Sequence, residues 1–210
     1  MTHILYSYRR CPYAMRARCA LIYAQIPVEI REIELRAKPP SMLHLSPKGT
    51  VPVLVTGEQA VIDQSLDIMY WALEQSDPDQ WLPEQDSPQR QEMQIWITCN
   101  DGPFKQLLDQ YKYPNRFPEL SSESVIQTAY EIYLHPLNQR LENNQFLLGK
   151  NLSMLDIALF PFVRQWMMVD ESRFQQLNLQ PLLAWLNFLI MSDLFNKAMA
   201  KYPVWRDINT

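Results

Sequence analysis

One cysteine of this chain stands where a thiol could do chemistry. Cys11 is followed directly by Pro12, and proline is favoured at the first position of a helix, so Cys11 is predicted to lie at a helix N-terminus. Unpaired backbone N–H groups and the positive end of the helix dipole face such a side chain. Both favour the thiolate, which is the nucleophilic form of cysteine. The sequence therefore predicts a reactive Cys11, with plain packing of a free cysteine as the alternative.

The charge around Cys11 supports this prediction. Residues 1–28 contain no acidic residue, although the whole chain has a formal net charge of −4. We therefore expect the pKa of Cys11 to lie well below the ordinary ~8.5, between about 4 and 7. The negative net charge argues against nucleic-acid binding by the chain as a whole. The basic residues of the first segment are Arg9, Arg10, Arg16 and Arg18.

The residues after Cys11 indicate the type of redox chemistry. Ala14 stands where a Cys-x-x-Cys motif would have its second cysteine. A mixed disulfide on Cys11 would therefore need an external thiol to resolve it. The other two cysteines, Cys19 and Cys99, are predicted to be structural, because free cysteines are commonly buried.

Counting excludes several other kinds of site. The chain has only four glycines, which form neither a dinucleotide-binding fingerprint nor a phosphate-binding loop. Its three histidines and three cysteines show no spacing typical of zinc, so no metal is expected. His44 and His135 are the candidate partners for a Cys–His hydrolase, and neither lies in a recognisable motif.

The elements that would position Cys11 are those of a small α/β domain. Residues 4–8 predict a strand, and a helix then begins at Cys11-Pro12. Residues 28–35 predict a second strand with a bulge, parallel to the first because a helix connects them. Residues 51–55 and 60–62 predict an antiparallel pair, after which Ser65 caps a further helix. Residues 36–50 are predicted to form a loop.

A proline-rich and acidic stretch at residues 77–88 predicts a linker. The fold class is therefore α/β followed by all-α, with a first domain at 1–76 and a helical domain at 89–210. Asp101-Gly102-Pro103 and Pro136 are expected to break or kink their helices. Ser153 and Asp156 resemble a capping box at a helix start. Residues 1–10 are not predicted to form a signal peptide, and no apolar run approaches the length of a membrane span. The odd number of cysteines favours a reduced, cytoplasmic setting.

These motifs, in this order, resemble the glutathione transferase family. The first domain is similar to its thioredoxin-like N-terminal domain, above all in the cysteine-type, omega-like group with glutaredoxin-like activity. The capping box resembles a helix start of the family's C-terminal domain. The matching segments of the first domain are Leu5 to Tyr8, Cys11 to Ala14, Arg16, Arg18, Thr50 to Leu54 and Asp63 to Ser65.

The resemblance implies roles for residues around the thiol. Cys11 would form a mixed disulfide with glutathione. Pro52 matches the family's cis-proline, which would let the backbone of Val51 pair with the cysteinyl part of glutathione as a strand does. Tyr13 matches an aromatic residue beside the cysteine.

The resemblance also implies residues that hold the ends of glutathione. Ser65 matches the residue that binds the γ-glutamyl carboxylate. Gln64 stands where this group often has Glu, and it could bind the γ-glutamyl ammonium by a hydrogen bond without an ion pair. Lys38 matches a basic residue that reaches the glycyl carboxylate, although a solvated loop lysine is the alternative.

Two assignments stay open at this point. Many glutathione transferases activate the thiol of glutathione with a serine or tyrosine near the end of the first strand, so Ser7 and Tyr8 are rivals to Cys11. In the helical domain, an apolar pocket for the second substrate or the plain core could be formed by Phe104, Tyr111 and Trp166.

The resemblance implies a homodimeric enzyme of the thioltransferase or dehydroascorbate reductase type. It would use glutathione as co-substrate and act on a small electrophile or disulfide. Because Cys11, Val51 and Ser65 fall at strand ends or helix starts of the first domain, we also expect the site to lie in a cleft between the domains. The charge and hydropathy of the chain predict neither nucleic acid nor membrane as a partner. The alternatives are a non-catalytic relative that binds a protein partner and an isomerase that uses glutathione without consuming it.

Overall fold

The computed structural model describes residues 2–207 and divides the chain into two units. The first unit comprises the described part of Met1–Asp79 and Ser192–Thr210, and the second is Gln80–Met191. The segment from residue 192 onward, which the sequence assigns to the helical domain, thus belongs to the first unit. In the described part of the chain, no helix has both the length and the apolar character needed to cross a membrane.

A four-stranded sheet in the order β2-β1-β3-β4 forms the centre of the first unit. The first two strands pair in parallel and the last two are antiparallel, which confirms both predictions. The second strand ends at Glu32, earlier than the sequence predicts, although the Ile33 N–H still donates to the Ser7 carbonyl at 2.8 Å. The strands are β1 (His3–Ser7), β2 (Val28–Glu32), β3 (Val53–Val55) and β4 (Val61–Ile62).

Four helices belong to this unit. The predicted loop at 36–50 contains one of them, a six-residue helix that begins at a proline, as Cys11-Pro12 also does. The N-cap of the third helix is Gln64, and Ser65 is its first helical residue, so the predicted cap is wrong by one position. The helices are α1 (Pro12–Tyr23), α2 (Pro40–Leu45), α3 (Ser65–Gln75) and, from the end of the chain, α11 (Asp193–Ala198).

The chain beyond α11 is held against the edge of the sheet. Val204 forms a parallel bridge with Glu32, and the Trp205 N–H donates to the Glu32 carbonyl at 2.7 Å. The Trp205 ring packs edge-on against Tyr6, with the ring centroids 5.6 Å apart. The Arg31 guanidinium lies over the Trp205 ring. These contacts give the physical reason why the last segment belongs to the first unit.

The second unit is helical throughout. It contains α4 (Pro88–Cys99), α5 (Lys105–Lys112), α6 (Ser122–Ala129), α7 (His135–Glu142), α8 (Met154–Met167), α9 (Glu171–Gln176) and α10 (Gln180–Ile190). Where the sequence predicts breaks or kinks, the chain stays helical and widens into π-helical turns, at Asn100–Phe104 and Tyr130–Leu134. Such a turn accommodates Pro103 without ending the helix.

The capping box at the start of α8 is confirmed. The fully buried Asp156 carboxylate accepts hydrogen bonds from the Ser153 N–H at 2.9 Å and from the Ser153 hydroxyl at 2.6 Å. It also accepts from the Leu147 N–H and the Trp185 indole N–H, both at 2.9 Å. Burial raises the pKa of Asp156, although all four donors act to lower it. This side chain therefore joins three segments of the second unit.

Candidate functional site

Cys11 is the N-cap residue of α1, as the sequence predicts. It is half-buried, and its thiol donates to the Val51 carbonyl across 3.7 Å. The Val51–Pro52 peptide bond is cis, as expected from the resemblance. The structure thus brings the start of α1 together with the backbone just before β3, although 40 residues separate them in the chain.

The pKa of Cys11 differs from the prediction. Burial raises it, and this effect outweighs the N–H groups of Ala14 and Tyr13 and the charges of Arg18 and Arg16, which all lower it. The prediction of a low pKa is therefore wrong in its direction. The expected lowering groups are all present, but the burial that opposes them depends on tertiary packing.

Arg16 connects the cysteine helix to the start of α3. It is buried, and its Nε donates to the Ser65 hydroxyl at 3.0 Å. Its guanidinium also lies over the half-buried Tyr13 ring, 5.0 Å from the centroid. A buried cation next to a helix N-terminus makes a surrounding that favours an anion. The sequence missed this link, since no local pattern joins residues 49 positions apart.

The two residues just before α3, Asp63 and Gln64, differ in the hydrogen bonds of their side chains. Gln64 is exposed, and its side chain makes no hydrogen bond within residues 2–207. The Asp63 carboxylate accepts from the Ser46 hydroxyl at 2.8 Å and from the Lys48 ammonium at 2.9 Å. These two bonds lower the pKa of Asp63. The sequence assigned no role to Ser46 or Lys48.

Lys38 lies beside the segment that leads to Val51. Its Nζ is 3.5 Å from the point where a Cβ on Gly49 would stand. Gly49 has a φ of +61°, a conformation that residues with a side chain rarely adopt. The Lys38 ammonium is half-buried and, among the described residues, makes no hydrogen bond or ion pair. It is therefore available to a carboxylate.

Ser7 and Tyr8, the alternatives to Cys11, differ in how far they are exposed to solvent. Ser7 is fully buried, and its hydroxyl accepts a hydrogen bond from the buried Arg18. A residue without exposed surface does not reach a substrate, which argues against Ser7. Tyr8 is half-buried, and its carbonyl accepts the Cys11 N–H at 3.0 Å.

The aromatic candidates for a second-substrate pocket lie inside the second unit. Phe104, Tyr111 and Trp166 are all buried in its core. Phe104 stacks on Tyr133 with the ring centroids 3.9 Å apart, and Trp166 packs against Tyr111 at 4.7 Å. The structure thus gives all three residues the core position that the sequence left open as their alternative. Among residues 2–207, no three His, Cys, Asp or Glu side chains could together hold a metal ion.

Comparisons with known proteins match this arrangement. Residues 5–81 match the family model of the glutathione S-transferase N-terminal domain. A probable glutathione transferase of Aplysia californica is 34% identical over 71 residues, 34% of this chain and 75% of that protein. A rice protein named probable glutathione S-transferase DHAR2, chloroplastic, is 29% identical over 72% of this chain. The Escherichia coli disulfide-bond oxidoreductase YfcG is 28% identical over 60% of this chain.

The matched region spans 50% of the length of the rice protein and 62% of the Escherichia coli protein. Among solved structures, a glutathione transferase family member from Pseudomonas fluorescens with two glutathione molecules bound shares the fold. It has a TM-score of 0.79 at 19% identity and covers 94% of this chain and 92% of its own. The family model, the Aplysia relative and this fold together show that the chain belongs to the glutathione S-transferase superfamily.

Proposed function

We propose that this chain is a glutathione-dependent thiol–disulfide oxidoreductase in which Cys11 forms a mixed disulfide with glutathione. The observation that carries the proposal is the position of the thiol, at the start of α1 and 3.7 Å from the Val51 carbonyl. An extended peptide can pair with the backbone at Val51 and place its own sulfur beside Cys11. The name of the Escherichia coli relative, a disulfide-bond oxidoreductase, supports this chemistry, and the name of the rice relative supports the use of glutathione.

The reaction would use a single protein thiol. Ala14 occupies the position of a resolving cysteine, and Cys19 is fully buried. Burial also raises the pKa of Cys19 to about 12, so its thiol stays protonated at neutral pH. Free glutathione would therefore attack the mixed disulfide on Cys11 and leave as glutathione disulfide.

The ends of glutathione would be held by groups on either side of Val51. Ser65 and the free N–H groups at the start of α3 would bind the γ-glutamyl carboxylate, with the Arg16 charge behind them. Gln64 would accept from the γ-glutamyl ammonium. Lys38 would bind the glycyl carboxylate from its position over Gly49. Tyr13 would border the thiol, and Pro52 would follow the paired backbone.

The raised pKa of Cys11 sets the expected pH dependence. In the ligand-free protein, most of the thiol is protonated at neutral pH, and its fraction of thiolate increases as the pH rises. The rate of iodoacetamide alkylation of Cys11 should therefore still rise above pH 9.0, the reference pKa from which burial raises that of Cys11. A midpoint of the alkylation rate below pH 9.0 would show that the neighbouring charges and N–H groups outweigh the effect of burial on the pKa of Cys11.

The test compares Cys11→Ser with the matched variant Cys99→Ser. Both are assayed for reduction of hydroxyethyl disulfide by glutathione and for retention on immobilised glutathione. We expect Cys11→Ser to lose the reductase activity and keep glutathione binding, and Cys99→Ser to keep both. A Cys11→Ser protein that still reduces disulfides would move the chemistry to Tyr8. A wild-type protein that neither reacts nor binds would favour the non-catalytic, partner-binding alternative.

The homodimer and the cytoplasmic setting expected from the resemblance stay predictions. Sedimentation of the purified chain across a range of concentrations tests the dimer.

A further inference from the structure

A tight turn lies immediately before the thiol. The Cys11 N–H donates to the Tyr8 carbonyl at 3.0 Å, which closes a four-residue turn with Arg9 and Arg10 at its two central positions. Both arginine side chains therefore project from a turn whose last residue is Cys11.

The backbone of this turn is held by buried groups. The guanidinium of Arg18 donates from Nη2 to the Arg9 carbonyl at 2.8 Å and from Nη1 to the Tyr8 carbonyl at 3.4 Å. The Arg9 N–H donates to the Glu32 carboxylate at 2.7 Å. Arg18 is itself buried. The position of the turn thus depends on main-chain bonds and not on the side chains of Arg9 and Arg10.

Among the described residues, neither of these two guanidinium groups is paired with a carboxylate. Arg9 is half-buried and Arg10 is exposed, and within residues 2–207 neither guanidinium makes a hydrogen bond or an ion pair. Glu32 is the acid that approaches the turn, and one of its carboxylate oxygens accepts a hydrogen bond from the Arg9 backbone N–H. Two cations in a turn that ends at a nucleophile raise the local concentration of anions there.

We propose that Arg9 and Arg10 make this site select anionic second substrates, namely disulfides whose departing thiol carries a carboxylate near its sulfur. This inference rests on the proposed function of Cys11. As an order of magnitude, Coulomb's law in water gives about a fivefold preference for two unit charges at a separation of about 8 Å, and salt reduces it.

The chemical step is a thiol–disulfide exchange. The Cys11 thiolate attacks the glutathionyl sulfur of the substrate, the bond between Cys11 and glutathione forms, and the substrate disulfide breaks. The carboxylate-bearing thiol leaves as a thiolate near the arginines and takes up a proton from water. A free glutathione thiolate then attacks the glutathionyl sulfur, which releases glutathione disulfide and the Cys11 thiolate.

The first test does not depend on catalysis. Cys11 is alkylated in parallel with iodoacetate, which is anionic, and iodoacetamide, which is neutral, and the modified peptides are quantified by mass spectrometry. We expect the iodoacetate-to-iodoacetamide rate ratio at Cys11 to fall about fivefold in the double variant Arg9→Gln with Arg10→Gln, and to fall in the wild type at high salt. An unchanged ratio in the double variant overturns the proposal.

Two controls accompany this measurement. Cys99 is half-buried and is read in the same samples, where its ratio should not respond to the double variant. Lys150→Gln removes an exposed cation from the second unit and should leave the ratio at Cys11 unchanged. A general effect of net charge would change the ratio in both controls and overturn the proposal.

The second test uses three mixed disulfides of glutathione, with 3-mercaptopropionate, 2-mercaptoethanol and cysteamine. The ratio of the wild-type kcat/KM to that of the double variant should decrease in that order, from anionic through neutral to cationic, because this ratio cancels the different pKa values of the three departing thiols. An equal ratio for all three substrates overturns the proposal while leaving the proposed function in place. If none of the three is reduced, the proposed function fails, and the alkylation ratio alone decides whether the thiol selects anions.

Discussion

The two units bury polar side chains for different purposes. In the first unit, Arg16 and Arg18 are buried near Cys11, and their partners include the Ser65 hydroxyl and the turn that carries the thiol. In the second unit, Asp156 and Asn138 are buried where helices begin, and they accept backbone N–H groups. Buried polar side chains thus hold the candidate site around Cys11 in the first unit, and they fix the packing of helices in the second.

This difference separates what a substitution should do in each unit. Removing the acceptor of several buried N–H groups leaves all of them unsatisfied, which mainly costs stability. Removing a buried donor beside Cys11 changes the position and the charge around the thiol as well. Stability and thiol reactivity should therefore move together in the first unit and separately in the second.

Asp156→Ala is expected to have the largest effect on stability. Four donors lose their acceptor, so the free energy of unfolding should fall by about 4 kcal/mol. Urea unfolding followed by fluorescence measures this loss. The alkylation rate of Cys11 in the folded fraction should not change, and a clear decrease would contradict the separation of the two units.

The matched control for this variant is Ser121→Ala. The exposed Ser121 hydroxyl accepts a single N–H, from Ser124 at 3.0 Å, at the start of α6. Its loss should cost about 1 kcal/mol, as is typical of an N-cap. Equal losses in the two variants would show that burial of the acceptor is not what matters.

Arg18→Met should have the next largest effect and change both properties. The variant removes hydrogen bonds to the Ser7 hydroxyl and to the carbonyls of Arg9 and Ala198, so the free energy of unfolding should fall by about 3 kcal/mol. The loss of its charge should raise the pKa of Cys11 further and slow alkylation at fixed pH. Arg31→Met is the control, because Arg31 bonds Tyr6 and Glu29 instead.

If Arg18→Met loses stability while Cys11 keeps its alkylation rate, the buried cation of the first unit acts as Asp156 does in the second. That result would remove the contrast between the units.

The sequence predicted the local parts of this structure. The Cys11-Pro12 helix start and the Ser153–Asp156 capping box follow from residues that are adjacent or three apart, and both are confirmed. The strand pairing also follows from short patterns. The six-residue helix α2 was missed, because two prolines and a short apolar stretch do not distinguish a brief helix from a loop.

The long-range parts were not predictable in this way. The Arg18 bond to the Ala198 carbonyl joins residues 180 positions apart, and it places the last helix in the first unit. The direction of the Cys11 pKa shift depends on how deeply the sulfur is buried, which only tertiary packing determines. Local patterns located Cys11 at the helix start, but not the burial that raises its pKa.

Ser65→Ala should have a smaller effect that is specific to the proposed ligand. The variant removes the hydroxyl that accepts from Arg16 and that would bind the γ-glutamyl carboxylate. We expect the KM for glutathione to rise about tenfold at unchanged kcat, which corresponds to about 1.4 kcal/mol of binding. Ser76→Ala, at the opposite end of the same helix, is the control. A fall in kcat alone would place Ser65 in the chemical step instead.

The smallest effect is expected at Lys48, which lies in a partly exposed network before α3. Its ammonium and the Ser46 hydroxyl lower the pKa of Asp63, so the ionised carboxylate is favoured in the folded chain. For an acid whose folded pKa is lowered, the stability contribution is present above its unfolded pKa and is lost as the pH falls through the folded pKa. Because Lys48 is half exposed, the pair is screened by water and salt and contributes little.

Lys48→Gln should therefore move the pKa of Asp63 upward, toward its ordinary value, and flatten the loss of stability below pH 3.8. Carboxyl-carbon NMR titration of Asp63 measures the first change, and acid unfolding measures the second. Ser46→Ala is the companion variant, because it removes the other donor and leaves the cation in place. If Ser46→Ala shifts the pKa and Lys48→Gln does not, the buried hydroxyl sets the charge of Asp63. The exposed cation would then contribute nothing, and buried polar groups would alone position this end of the first unit.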